Sequence, residues 1–173
     1  MSLILEDGSG LATAESYASI AEADTYLGNH DSPASWTAAS TDQKEDALRT
    51  ATEWIDSRYL GRFQGSKVEP RTQRLAFPRY GVEIDKVVLD ETPLPRCLVE
   101  ATIELARRHI DEVAAGSSLA EDVTDGTIKS QSVQLGPISE SKTYQGGKPQ
   151  LKRYTVVTRL LRPLLCSSGL ERA

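Results

Sequence analysis

The stretch from Pro95 to Ala115 limits most strongly what this chain can become. Leu98, Ala101, Thr102, Leu105, Ala106, His109, Ile110 and Val113 recur at intervals of three and four, which places them along one side of an α-helix. Pro95 suits its first turn, because a helix start leaves that N–H unbonded anyway, and Gly116 suits its end. Such a stripe stays wet unless other elements cover it, so the chain must supply partners. Ser40-Thr41-Asp42-Gln43 opens a second helix with negative charge where the helix dipole favours it. Ala47, Leu48, Ala51, Trp54, Ile55, the stem of Arg58 and Tyr59 form its stripe, and the helix should end near Leu60, with Gly61 just beyond. Ser19-Ile20-Ala21-Glu22 has the form of a capping box for a shorter helix running to about Leu27, followed by turn formers from Gly28 to Pro33. Val156, Val157, Leu160, Leu161, Leu164 and Leu165, interrupted by Pro163, read as a short C-terminal helix on the bundle.

Two segments lack this periodicity. Residues 61–94 hold Gly61, Gly65, Pro70, Pro78, Gly81 and Pro93, which predicts a long connection with a short turn around Thr72 to Ala76. From Thr127 to Tyr154, isolated apolar residues (Ile128, Val133, Leu135, Ile138, Tyr144) stand among Gln, Ser, Thr and Lys, with a Gln145-Gly146-Gly147-Lys148-Pro149 turn. This reads as a long hairpin with too little apolar surface to be stable alone. The expected fold class is mainly α: a small helical bundle with an extended β-hairpin arm and a short C-terminal helix. Residues 1–125 form the bundle, with its connection at 61–94. Residues 126–173 form the arm and the C-terminal helix, packing on the bundle or on a neighbour. At 173 residues, one compact domain with appended structure is the natural division.

Composition narrows the function classes. Twenty basic against 25 acidic residues, a net charge of -5 and an isoelectric point near 5.1 exclude a globally basic DNA-coating protein. No apolar run approaches the roughly 20 residues that span a bilayer, and Glu6 and Asp7 stand where a signal peptide needs basic then apolar residues, so no membrane partner and no export are expected. Cys97 and Cys166 have neither scaffold nor metal-knuckle spacing and are expected to be reduced and half-buried. His30 sits in a turn, and His109 and Asp111, two apart on a helix, point to different sides, so neither histidine completes a metal set. Ser139-Glu140-Ser141-Lys142 matches a bare S-x-x-K pattern but lies in a polar strand without companion motifs. Gly146-Gly147-Lys148 lacks the earlier glycine of a phosphate loop and is followed by Pro149. The carboxylates Asp42, Glu45, Asp46, Glu53 and Asp56 on one helix, and Glu100, Glu104, Asp111 and Glu112 on the other, read as solvated faces. No enzymatic activity, cofactor or metal is expected.

Charge is not evenly spread. Residues 1–57 carry 2 basic and 11 acidic side chains, residues 58–80 carry 6 and 1, residues 81–125 carry 4 and 11, and residues 126–173 carry 8 and 2. Such blocks can set register between complementary surfaces or simply form solvated faces of opposite sign. The basic stretch interleaves Arg58, Arg62, Lys67, Arg71, Arg74 and Arg79 with Tyr59, Phe63, Phe77 and Tyr80. Cations grip phosphates and rings stack on bases, so Arg62, Lys67, Arg71 and Arg74 are candidate single-stranded-DNA contacts. Arg and aromatic residues are also favoured at protein interfaces, and the net negative charge tips the balance that way. On that reading Arg71, Arg74, Phe77, Arg79 and Tyr80, with Val133, Leu135, Ile138 and Tyr144 of the arm, are candidate contacts with another subunit or a protein partner; Phe77 and Tyr80 could equally roof the subunit core.

Several segments together resemble a known family. They are Leu-Glu-Asp-Gly-Ser-Gly-Leu (5–11), Ala-Glu-Ser-Tyr-Ala-Ser (14–19), Ala-Asp-Thr-Tyr-Leu (23–27), Ala-Leu-Arg-Thr-Ala-Thr-Glu-Trp-Ile-Asp (47–56), Gln-Arg-Leu-Ala-Phe-Pro-Arg-Tyr-Gly (73–81), Pro93-Leu-Pro and Ala101-Thr-Ile-Glu-Leu-Ala106. Spread over nearly the whole chain, they resemble tailed-bacteriophage head-tail connector (head completion, adaptor) proteins. Similar sequences are also labelled DnaT-like single-stranded-DNA-binding proteins. The connector resemblance implies a structural subunit that assembles with itself as a ring of about twelve copies. It also implies docking on a portal protein and on the next neck or tail-completion protein. Double-stranded DNA would pass through without sequence recognition, and the location would be the virion neck, with the host cytoplasm during assembly. The DnaT-like label implies a single-stranded-DNA-binding module instead. Neither implies catalysis.

Overall fold

A computed structural model describes residues 2–30, 33–116, 119, 130–135, 138–143 and 154–166, with the 130–135 and 138–143 strands described by backbone alone. The fold is mainly α. Helix α1 (Ile20–Gly28) begins at the expected capping box: Ser19 Oγ accepts from the Glu22 N–H, and the Glu22 carboxylate accepts from the Ser19 N–H at 2.8 Å. Helix α3 (Thr41–Tyr59) starts with the same reciprocal device, built from Ser40 and Gln43. Between them lies α2 (Ala34–Ala38), a single turn that no periodicity announces. It buries Trp36, whose indole N–H donates to Asp24 at 2.7 Å while Lys44 pairs with the same carboxylate at 2.9 Å.

Helix α4 (Arg96–Ala114) is the hub. Its inner face, Leu98, Ala101, Thr102, Leu105, Ala106 and His109, is buried, and α1, α2, α3 and α5 (Thr155–Leu161) all pack on it. From α3, Ala47, Leu48, Ala51, Ile55 and Tyr59 meet this face. The alanines on both helices let the axes approach, and each fully buried Leu or Ile contributes about 1.5–3 kcal/mol. Helix α5 and the 3-10 turn that continues it (Arg162–Leu164) add Val157, Leu161 and Leu164, all fully buried. Among the described residues no helix is long and apolar enough to cross a membrane.

The connection between α3 and α4 contains two small antiparallel ladders. Strand β1 (Ser66–Lys67) pairs with β2 (Arg79–Tyr80), with Ser66 opposite Tyr80 and Lys67 opposite Arg79. Gly65 permits this approach: its φ is +67°, and a Cβ there would stand 2.2 Å from the Tyr80 carbonyl oxygen. Strand β3 (Glu83–Ile84) pairs with β4 (Val87–Val88) through a two-residue turn in which Asp85 and Lys86 both take positive φ.

The chain divides into two compact units, 1–119 with 154–173, and 120–153. The second contains the expected hairpin, β5 (Ser130–Leu135) and β6 (Ile138–Thr143), antiparallel with Val133 opposite Glu140 and Leu135 opposite Ile138. The C-terminal helix belongs with the helical unit.

Candidate nucleic-acid interface

Three segments of the helical unit converge beneath the connection. The Asp56 carboxylate, on α3, accepts from the Tyr17 hydroxyl at 2.6 Å and from the Ala76 N–H at 2.7 Å. The Tyr17 oxygen in turn accepts from the Phe77 N–H at 3.1 Å. Burial pushes the Asp56 carboxyl up to about 6, against the donors that favour its charged form. Burial, then the adjoining Asp56 charge, holds the Tyr17 phenol well above its usual range, so it remains a donor. The expectation that Asp56 lies on a solvated face is therefore corrected: it turns inward and anchors the connection to α3.

The connection's own polar groups complete the anchor. Gln73, 5 % exposed, donates to the carbonyls of Leu75 and Pro78, both at 3.0 Å, and accepts from the Glu69 N–H. Arg79 is half-buried and donates to the carbonyls of Gln64 (2.7 Å), Gly65 (2.6 Å) and Ala76 (3.3 Å). Its guanidinium is occupied in closing β1 onto β2, so the expected outward contact from Arg79 is corrected to an internal tie. For Phe77 the expected interface contact gives way to the alternative weighed beside it, a place in the core: at 1 % exposure, its ring packs edge-on against Tyr17 and Phe63 at centroid distances of 6.4 and 5.1 Å. Tyr59 and Phe63 are buried as well. Of the four rings interleaved with the cations, three are core and only Tyr80, 51 % exposed, offers a face to solvent.

The remaining cations face outward. Arg62, Arg71 and Arg74 are exposed and Lys67 is half-buried, its Nζ donating to the Gln73 carbonyl at 3.3 Å. Arg74 stands 3.5 Å from Glu53, a pair exposed on both sides and so weakly held. Arg62 lies over the Tyr59 ring, 5.6 Å from its centroid, which leaves its donors free. Among the described residues Arg62, Lys67 and Arg71 form no ion pair. Val133, Leu135 and Ile138 lie in the hairpin of the other unit, and Tyr144 falls outside the described residues. Cys97 is half-buried as expected, whereas Cys166 is exposed.

Sequence reasoning missed two further cations. Arg159 and Arg162 are exposed on α5 and its 3-10 extension, in the segment that seals the connection. The signal lay in the excess of basic residues after 126 and in two arginines three apart within an otherwise apolar run. Among the described residues no three His, Cys, Asp or Glu side chains gather as a metal set.

A protein-family profile described as "Putative DnaT-like ssDNA binding protein" matches residues 1–173. No curated protein and no solved structure matches the chain. The whole-length match carries the DnaT-like description and corrects the main functional expectation: the head-tail connector reading, with its ring beneath a portal, is set aside. With this match over its full length, the chain belongs to the family of DnaT-like ssDNA binding proteins.

Proposed function

We propose that this chain binds single-stranded DNA, without sequence preference and without catalysis, through the connection between α3 and α4. The observation that carries the reading is the division of labour within residues 58–80. Phe63, Phe77, Gln73 and Arg79 build the connection, while Arg62, Arg71 and Arg74 project from it as exposed cations and Tyr80 as an exposed ring. Lys67 adds a fourth positive charge at the β1 edge. Phosphate neutralisation supplies most of the affinity of such a surface, and a stacked base supplies its preference for unpaired strands. The acidic blocks 1–57 and 81–125 repel a polyanion and confine it to this stretch.

Fluorescence anisotropy of a labelled oligothymidine over a salt series tests the proposal. Arg62→Ala with Arg71→Ala is expected to reduce the slope of log affinity against log salt by about 1.4, or about 0.7 for each phosphate left without its cation. Tyr80→Ala is expected to weaken binding by about 1–3 kcal/mol with the slope unchanged, because stacking releases no counterion. Wild-type protein that fails to bind at low salt overturns the proposal.

A further inference from the structure

We infer that the DNA-contacting surface continues beyond the connection onto the C-terminal helix, where Arg159 and Arg162 take further phosphates of the same strand. This rests on the single-stranded-DNA reading above and extends it to a second segment of the chain.

The first support is how the two segments are joined. Phe63 forms an antiparallel bridge with Leu165. The Gln64 N–H donates to the Leu164 carbonyl at 2.9 Å, and the Cys166 N–H donates to the Arg62 carbonyl at 2.8 Å. The Gln64 side-chain amide reaches the Pro163 carbonyl at 2.8 Å, and the Tyr59 hydroxyl meets Thr158 Oγ1 at 2.9 Å. Residues 158–166 are thereby fixed against residues 59–64, so Arg159 and Arg162 ride on the element bonded to the backbone of Arg62.

The second support is direction. Val157, Leu161 and Leu164 are fully buried on the inner side of this segment, and Arg159 and Arg162, three apart, are both exposed.

The third is charge. Lys44, Arg49, Arg74, Arg96 and Arg107 each stand against a carboxylate. Among the described residues Arg58, Arg62, Arg159 and Arg162 have no such partner, although acidic side chains outnumber basic ones in this protein. Exposed Glu83, on the β3 strand against which the 3-10 turn packs, offsets only part of this charge. Arg58 lies in the last turn of α3, where the helix dipole favours a cation. Unneutralised guanidiniums on adjoining segments offer a run of phosphate-sized sites that a flexible strand can follow.

The test uses the full chain and the same labelled oligothymidine. Arg159→Gln with Arg162→Gln is expected to lower affinity at low salt by about tenfold or more and to reduce the salt slope by about 1.4. Arg159→Lys with Arg162→Lys keeps both charges and is expected to restore the slope, which separates lost charge from a disturbed helix. Arg96→Gln, removing a cation already paired with Glu100, is expected to leave the slope unchanged. Inorganic phosphate added at constant ionic strength competes for guanidiniums that take strand phosphates and is expected to weaken wild-type binding more than that of the glutamine pair, and equal weakening of the two overturns the inference. A glutamine pair with the wild-type slope, or a lysine pair as defective as the glutamine pair, also overturns it. Wild-type protein that does not bind the oligonucleotide refutes the underlying reading instead.

Discussion

Asp56 joins segments that stand far apart in the sequence: the loop before α1 through Tyr17, α3 itself, and the connection through Ala76 and Phe77. Its burial has a measurable consequence. The folded carboxyl titrates at about 6, above its ordinary 3.8, so the folded state holds this proton more tightly than the unfolded one. The associated stability is complete below about pH 4 and is lost as pH rises through about 6. His109 acts in the opposite sense: burial depresses its imidazole pKa, so its contribution is present above about 6.5 and is lost on acidification. Comparing wild type with Asp56→Asn in urea unfolding isolates the carboxyl. The difference in stability, wild type minus variant, is expected to fall by about 2 kcal/mol between pH 4 and pH 7. A flat difference would show the carboxyl to be unshifted. Glu6 has a related role nearer the N-terminus: 5 % exposed, it accepts backbone N–H bonds from Gly8, Gly10 and Leu11, so the Leu-Glu-Asp-Gly-Ser-Gly-Leu segment is one carboxylate wrapped by its own loop.

Among the elements, α1, α3, α4 and α5 were legible because each shows a capping signature or an apolar stripe at helical spacing. Helix α2 was not, since five residues complete too little of a period to register, and its reason for existing is one indole seeking cover. The two-residue ladders of the connection show no alternation for the same reason and depend instead on Gly65 and Arg79 in one and on the Asp85–Lys86 turn in the other. The basic stretch could be read as far as its cations and one ring: Arg62, Arg71, Arg74 and Tyr80 are exposed and Lys67 half-buried, while Arg159 and Arg162 stood outside it. Phe63 and Phe77 were ambiguous, because a ring beside a cation has the same spelling whether it stacks on a base or fills a core. Asp56 was misread because a carboxylate on a helix is usually solvated, and only the tertiary arrangement places Tyr17 and Ala76 around it. Helix α5 holds its arginines through burial of its apolar side. Leu161→Ala is therefore expected to destabilise the protein by about 2–5 kcal/mol, seen as a lower urea midpoint with an unchanged slope. A change within about 0.5 kcal/mol would mean that the helix is not a cooperative part of the unit.

Across the whole molecule, net charge and function pull in different directions. Acidic side chains outnumber basic ones, yet positive charge is concentrated in residues 58–80 and after 126. On the single-stranded-DNA reading proposed above, affinity then depends on local charge density, and discrimination on the lone outward ring of the basic stretch. At moderate salt, where the probe remains bound, unlabelled oligothymidine is expected to displace it about tenfold more effectively than a duplex with the same number of phosphates, since an exposed Tyr80 ring can stack on an unpaired base and not on a paired one. Equal displacement would remove stacking from the account. The pairing of Arg62–Gln64 with Leu164–Cys166 carries a consequence for biosynthesis. During translation residues 62–64 gain these backbone partners only once Cys166 has cleared the ribosome, so on the single-stranded-DNA reading proposed above, products that stop short of it are expected to bind an oligonucleotide more weakly than the full chain.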